Sequence, residues 1–115
     1  DDYIKYSNRI KPLIKLHVKD VLSTGANIVM DFPANTKKQR EWLNSIAVEL
    51  DIEAELIFLK VSNETCLAQI AKRRIENPTR AKFDTPEVFA IVNAHFEEPS
   101  INEHSNLQVK IETPI

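Results

Sequence analysis

Residues 55–61 read Glu-Leu-Ile-Phe-Leu-Lys-Val and form a short apolar run between two helical patterns. On the N-terminal side, one face of a predicted helix carries five apolar residues at helical spacing: Trp42, Leu43, Ile46, Ala47 and Leu50. On the C-terminal side, Asn63 can cap a helix that continues to Arg74. A short apolar run between helices is typical of a buried parallel strand with right-handed crossovers. The stretch therefore predicts an α/β fold.

Two further strands are predicted around this one. Ile28-Val29-Met30 makes an apolar run over 27–31, and alternating Leu107, Val109 and Ile111 make a final strand. Further helices are predicted over about 4–24, closed by Gly25, and from Thr85-Pro86-Glu87 to just before Pro99. The last helix is expected to bury four apolar residues: Val88, Phe89, Val92 and Phe96. The predicted order is α-β-α-β-α-α-β, a partial parallel sheet of about three strands with flanking helices.

The composition is that of an ordinary globular chain. Its 115 residues are 43% hydrophobic and 28% charged, which excludes a disordered protein and fits a single domain. The net charge of −2 gives no overall field that favours nucleic acid. No apolar run approaches the roughly 18 residues of a membrane span, so no membrane partner is expected. Cys66 is the single cysteine, which excludes an internal disulfide and suits the reducing cytoplasm.

Asp31 and Asn35 are the first candidate site residues. Ligands of open α/β sheets bind beyond the carboxyl ends of the strands, and both residues follow the predicted strand 27–31. On a functional interpretation, Asp31 positions a water, a metal-bound water or a substrate hydroxyl. On the alternative interpretation, Asp31 is a turn residue that caps its own loop. No His or Cys spacing predicts a zinc site, and no residue is assigned as a metal ligand.

A basic cluster over residues 72–82 is the second candidate. It holds five cations against one acid, Glu76: Lys72, Arg73, Arg74, Arg80 and Lys82. Arginine pairs two phosphate oxygens at once, and a mobile loop with such residues can close over a nucleotide during phosphoryl transfer. The alternative is a solvated helix end, because cations also favour helix C-termini.

The order of several segments resembles a family of small P-loop kinases. The resemblance lies in residues 27–36, Asn-Ile-Val-Met-Asp-Phe-Pro-Ala-Asn-Thr, followed by Arg40 and Trp42. It continues through residues 59–62, Arg73-Arg74, residues 96–100, Glu103 and the last strand. The family comprises bacterial "predicted kinase" proteins grouped with AAA-type ATPases and related to polynucleotide kinase, zeta toxin and chloramphenicol phosphotransferase. The resemblance covers about residues 8–112.

The resemblance implies a three-layer P-loop NTPase-like fold and transfer of the ATP γ-phosphate, with Mg²⁺, to a hydroxyl group of a small-molecule or nucleotide-like substrate. It places Asp31 and Asn35 on the substrate side. Arg73 or Arg74 would flank the adenine or the phosphates of ATP. Arg80 would act catalytically from a lid over about residues 75–85. Asp31 would be the second catalytic candidate.

The sequence departs from the family at its most diagnostic point. Gly25 is the only glycine and no Gly-Lys-Ser or Gly-Lys-Thr occurs, whereas a phosphate-binding loop needs several glycines. We therefore expect residues 1–115 to be the C-terminal part of one P-loop kinase-like domain, inactive alone and without a cofactor of its own. Its expected partner is an N-terminal P-loop segment of the same protein.

Two alternatives to this kinase hypothesis stay open. The chain could be a non-enzymatic binding or assembly module of kinase ancestry, or a generic α/β interaction domain with an accidental resemblance. In the related kinases the loop-bearing strand lies between the strands that correspond to 27–31 and 55–61. Unpaired strand edges are association sites. We therefore expect either direct pairing of those two strands or a homodimer, including a swapped one, that completes the sheet.

Overall fold

A computed structural model describes residues 2–114 of the chain. The helices are α1 (Asp2–Ser23), α2 (Lys37–Leu50), α3 (Asn63–Glu76) and α4 (Pro86–Ala94), with a 3-10 turn over Pro78–Arg80. The strands are β1 (Ala54–Leu59) and β2 (Leu107–Glu112). None of the helices described combines the length and the hydrophobicity needed to cross a membrane.

The two strands form a parallel pair. Their register runs from Ala54 opposite Leu107 to Leu59 opposite Glu112, and α3 and α4 lie in the connection between them. A parallel pair requires such a crossover, because a tight turn can join only antiparallel strands. The α/β class and the parallel sheet with flanking helices are confirmed, with two strands within residues 2–114 instead of about three.

The small core lies between α1, α2 and one face of this sheet. Its buried apolar side chains come from α1, α2 and β2: Val18, Ile46, Ala47, Leu107 and Val109. Phe58 of β1 stacks on Phe96 with ring centroids 5.7 Å apart. The opposite face of β1 carries Ile57 and Leu59, which are 62% and 60% exposed. Parallel sheets are normally covered on both faces, whereas the described residues leave this face of β1 largely uncovered.

The predicted strand over 27–31 is wrong. Residues 26–34 have no regular secondary structure, and Val29 is 98% exposed. Burial still alternates along the segment: Ile28 and Met30 are half-buried, while Val29 and Asp31 are exposed. An extended segment becomes a strand only when a neighbour pairs with its backbone, and none of residues 2–114 does so here. Direct pairing of 27–31 with 55–61 is therefore also wrong, whereas the homodimer stays a prediction.

Short polar side chains set the helix starts, much as the sequence predicts. Thr36 caps α2 by accepting a hydrogen bond from the amide of Gln39. The side chain of Gln39 accepts one from the amide of Thr36, and the two bonds form a capping box. Ser62, not Asn63, caps α3, and Thr85 caps α4 with Pro86 in the first turn. The expected burial of α4 is wrong, since Val88 and Val92 are 37% and 54% exposed.

Candidate functional site

The predicted lid is organised around a buried carboxylate, Asp84. Arg73, in the last turn of α3, donates from Nε to Oδ2 at 2.8 Å and from Nη2 to Oδ1 at 2.7 Å. Arg80, in the 3-10 turn, donates from Nε to Oδ2 at 3.1 Å. Asp84 is 3% exposed and directly precedes Thr85, the cap of α4. One carboxylate thus fixes two arginines and joins α3, the lid and α4.

The two guanidinium groups remain accessible although Asp84 is buried. The side chains of Arg73 and Arg80 are 51% and 47% exposed. Arg80 uses Nε on Asp84, which leaves the N–H groups of its other two nitrogens available. Two cations face a single carboxylate, so the cluster keeps a net positive charge. An anion such as a phosphate group therefore finds oriented donors here.

The arginines perturb the ionisation of this cluster strongly. Hydrogen bonds from Arg73 and then Arg80, with their charges, lower the pKa of Asp84 from 3.8 to about 2, against the opposing effect of desolvation. The same hydrogen bond raises the pKa of Arg73. Asp84 is therefore ionised at any physiological pH.

This pKa shift predicts a pH-dependent stability difference between the wild-type chain and Asp84→Asn. A carboxylate with a lowered folded-state pKa stabilises the fold above its unfolded pKa, and the contribution disappears as the pH falls through the folded value. The difference in free energy of unfolding should be constant above about pH 4 and shrink towards about pH 2. Urea unfolding at a series of pH values measures it.

Asp20→Asn is the matched control, because Asp20 lies exposed on α1. Its stability difference from the wild type should stay close to zero over the same pH range. A difference for Asp84→Asn that did not change with pH would contradict the ion cluster.

The loop that carries Asp31 and Asn35 is held through its backbone. Arg40 Nη1 donates to the carbonyl of Ala34 at 2.8 Å, and the amide of Asn35 donates to Gln39 Oε1 at 2.7 Å. The carbonyl of Asn35 accepts from the amide of Glu97 at 2.8 Å. The side chain of Glu98 pairs with Lys60, which directly follows β1, at 3.2 Å. Asn35 thus lies towards the carboxyl end of β1.

The loop is also held by a buried ion pair between Arg40 and Glu103. Arg40 is 0% exposed and Glu103 is 4% exposed at its side chain. Nε and Nη2 of Arg40 donate to the two carboxylate oxygens of Glu103 at 2.7 and 2.9 Å. The hydrogen bond from Arg40 is the main cause that lowers the pKa of Glu103. The pair connects α2 to the segment before β2. Because Arg40 also donates to the carbonyl of Ala34, the pair helps to position Ala34.

The structure forms two clusters from the predicted site residues. Arg73 and Arg80 come together on Asp84, while Asp31 and Asn35 lie exposed on the loop before α2. No hydrogen bond or ion pair within residues 2–114 joins the two groups. Helix α3 begins at Asn63, soon after the end of β1, and Arg73 lies about 15 Å further along the helix axis. Arg74 is exposed and does not bind Asp84.

The sequence interpretation missed the roles of Asp84 and of the Arg40–Glu103 pair. Asp84 carries a usable signal, because it follows Arg80 by four residues and directly precedes a helix cap. The sequence gives no signal that Arg40 and Glu103 form a pair, because 63 residues separate them. Both belong to the stretches on which the resemblance rests, without any indication that they contact each other.

A comparison with known families gives a match over most of the chain. A family model described as an AAA domain matches residues 1–99. The chain belongs to this AAA domain family. It is a family of P-loop kinase-like, nucleotide-binding domains, and the α/β fold with a parallel strand pair is consistent with it. Comparisons with curated proteins and with solved structures give no match.

The residues of this AAA domain fit only part of an ATP site. Gly25, the single glycine, has φ of +87° in the turn after α1 and cannot form a phosphate loop. Within residues 2–114, no group of three or more His, Cys, Asp or Glu side chains could hold a metal ion. The exposed guanidinium groups of Arg73 and Arg80 do fit phosphate oxygens. Residues 2–114 therefore present two oriented cations that suit a phosphate group.

Proposed function

We propose that this AAA domain is the arginine-bearing part of an ATP-dependent phosphotransferase that acts on a hydroxyl substrate. The observation that supports it is the Arg73–Asp84–Arg80 cluster, in which a buried carboxylate orients two accessible guanidinium groups. The phosphate-binding loop would come from a segment outside these residues. By itself the chain would be inactive.

In this proposal the arginines stabilise negative charge on the transferred group. ATP supplies the γ-phosphate when it is bound. Arg80 donates to phosphate oxygens as charge develops there, and Arg73 holds the same cluster in place through its bidentate contact with Asp84. Because Asp84 fixes their orientation before the nucleotide arrives, the arginines lose little conformational freedom in the reaction. Arg74 would contact the adenine or an outer phosphate from the exposed end of α3.

Asp31 and Asn35 would serve the acceptor. Backbone hydrogen bonds hold the loop at Ala34 and Asn35, three and four residues after Asp31. Asp31 would accept a hydrogen bond from the substrate hydroxyl and Asn35 would orient the same substrate. Closure of the lid would bring the arginine cluster towards this loop.

The test is Arg80→Ala in the natural polypeptide that contains these residues. Removing a contact made mainly in the transition state should lower kcat by about tenfold or more, with little change in the KM for ATP. Arg73→Ala should have a smaller effect in the same direction. Steady-state phosphoryl transfer from ATP to the acceptor measures both.

Lys82→Ala is the matched control, because Lys82 is an exposed cation of the same segment outside the Asp84 cluster. Its kcat should equal that of the wild type. Equal turnover in Arg80→Ala and Lys82→Ala would remove the arginine cluster from the reaction.

A second candidate function is a non-enzymatic assembly module. The exposed apolar side chains of Val29, Ile57 and Leu59 favour it, because such surface on a folded chain is typical of a binding interface. ATP titration separates the two candidates. A phosphotransferase binds ATP once the phosphate-binding segment is present, whereas an assembly module of kinase ancestry shows no ATP affinity under the same conditions.

A further inference from the structure

A groove of about 640 Å³ runs between the N-terminal half of α1, residues 31–33 and the first turns of α2. Four aromatic side chains line it: Tyr3, Tyr6, Phe32 and Trp42. Its polar and charged side chains are Ser7, Asn8, Lys11, Asp31 and Gln39. The volume lies within the range of small-molecule sites, which combine an apolar lining with a few polar groups.

The aromatic side chains are already arranged for ring contacts. Phe32 and Trp42 lie with ring centroids 5.9 Å apart at 52°. Lys11 Nζ lies 5.7 Å from the centroid of the Trp42 ring and so satisfies the cation–π preference of that ring. Among the described residues, the charged side chains that line the groove are Lys11 and Asp31, which have opposite signs, so the lining carries no net charge. The groove therefore suits a neutral planar ring better than a cationic ligand.

Asp31 supplies the complementary polar contact. Its carboxylate is exposed at the groove and has no hydrogen-bond or ion-pair partner among residues 2–114. A free carboxylate only accepts hydrogen bonds, so it selects a ligand with O–H or N–H donors. The Arg40 contact to Ala34 fixes the loop on which it lies.

We propose that this groove binds a small neutral compound that has both a planar aromatic ring and hydroxyl groups. The ring lies among Tyr6, Phe32 and Trp42, and a hydroxyl donates to Asp31. The choice of a hydroxyl compound rests on the proposed phosphotransferase function, because such a ligand would be the acceptor. The ring specificity rests on the groove alone.

A smaller cavity does not meet these conditions. It has a volume of about 230 Å³ and is lined by polar residues that include Glu53, His104 and Asn106. It lies where β1 and β2 begin, which is the amino edge of the parallel pair, and no Phe, Tyr or Trp lines it. Ligands of parallel sheets bind at the opposite edge.

The experiment uses the fluorescence of Trp42, the only tryptophan of the chain. Three probes separate the two parts of the ligand: adenosine has a planar aromatic ring and hydroxyls, caffeine has a planar aromatic ring without hydrogen-bond donors, and ribose has hydroxyls without an aromatic ring. We expect a saturable fluorescence change with adenosine, a weaker one with caffeine and none with ribose. Free tryptophan titrated with the same probes corrects for collisional quenching.

Two pairs of variants locate the site. Tyr6→Ala should weaken adenosine binding about tenfold, because base–aromatic stacking contributes about 1–3 kcal/mol, whereas Leu16→Ala should not change it. Leu16 is a fair control because it lies on the same helix and is 59% exposed, against 60% for Tyr6. Asp31→Ala should weaken adenosine binding about tenfold and leave caffeine unchanged. Asp20→Ala is its control.

The absence of a saturable signal with adenosine, or equal affinities of Tyr6→Ala and Leu16→Ala, would overturn the proposal. Equal affinities for adenosine and caffeine would overturn the assignment of Asp31. The titration contains no ATP, so it stands apart from the phosphotransferase proposal. If adenosine binds but the natural polypeptide transfers no phosphate, the phosphotransferase function is contradicted and the groove proposal stands. If the polypeptide transfers phosphate but adenosine does not bind, the groove proposal is contradicted and the phosphotransferase function stands.

Discussion

Replacing Arg40 with alanine is expected to lower the free energy of unfolding by about 3–5 kcal/mol, because it breaks a buried ion pair. Arg40 is 0% exposed and Glu103 is 4% exposed at its side chain. The substitution leaves the carboxylate of Glu103 buried without its bidentate partner and removes the donor to Ala34 at 2.8 Å. Urea unfolding followed by circular dichroism measures the change.

Two further variants identify the cause. The double variant Arg40→Leu/Glu103→Leu removes both charges and should recover most of the lost stability, because a buried pair replaced by apolar groups is often neutral. Lys72→Ala breaks a pair whose side chains are 75% and 63% exposed and should change the stability by less than about 1 kcal/mol. An Arg40→Ala variant as stable as Lys72→Ala would show that the pair is not buried in solution.

The same buried pair has a consequence for the candidate site. Arg40 holds Ala34, and Ala34 lies between Asp31 and Asn35 on one short loop. The sequence placed these two polar residues beyond a strand, whereas the structure supports them by an arginine from α2 and a glutamate near β2. The loop is thus fixed by side chains from distant positions instead of by strand pairing.

Local signals in the sequence predicted most of the elements correctly. Helices α2, α3 and α4 follow from apolar spacing and short polar caps, and β1 and β2 follow from short apolar runs. These features depend on neighbours within a few residues. The α/β class then follows, since strands that alternate with helices favour a parallel sheet.

The failures share a different physical cause. Residues 27–31 have a strand sequence but no partner, and a strand is a property of a pair. The apolar side of α4 is intact in sequence, yet Val92 stays 54% exposed because too little of the chain lies against it. Arg40 and Glu103 are 63 residues apart, so only the fold brings them together. Each of these outcomes depends on contacts between residues far apart in the sequence, which local sequence patterns do not reveal.

The unpaired edge of β1 leads to the second large effect that we expect, which is self-association of the chain. Among residues 2–114, β1 is paired on one side only, by β2. The uncovered face of β1 carries Ile57 and Leu59 at 62% and 60% exposure. An open edge beside an apolar face is a template for a strand of a second copy. We expect sedimentation equilibrium to give a dimer whose fraction rises with protein concentration.

Ile57→Lys should weaken this dimer by at least about tenfold, because burying an isoleucine side chain contributes about 1.5–3 kcal/mol and a lysine cannot replace it. Ile91→Lys is the matched control, since Ile91 is 63% exposed but lies on α4, away from the strand edge. Equal dimer constants for the two variants would mean that general stickiness, not the edge of β1, drives association. A chain that stays monomeric at every concentration would contradict sheet completion by a second copy and leave β1 with a free edge in solution.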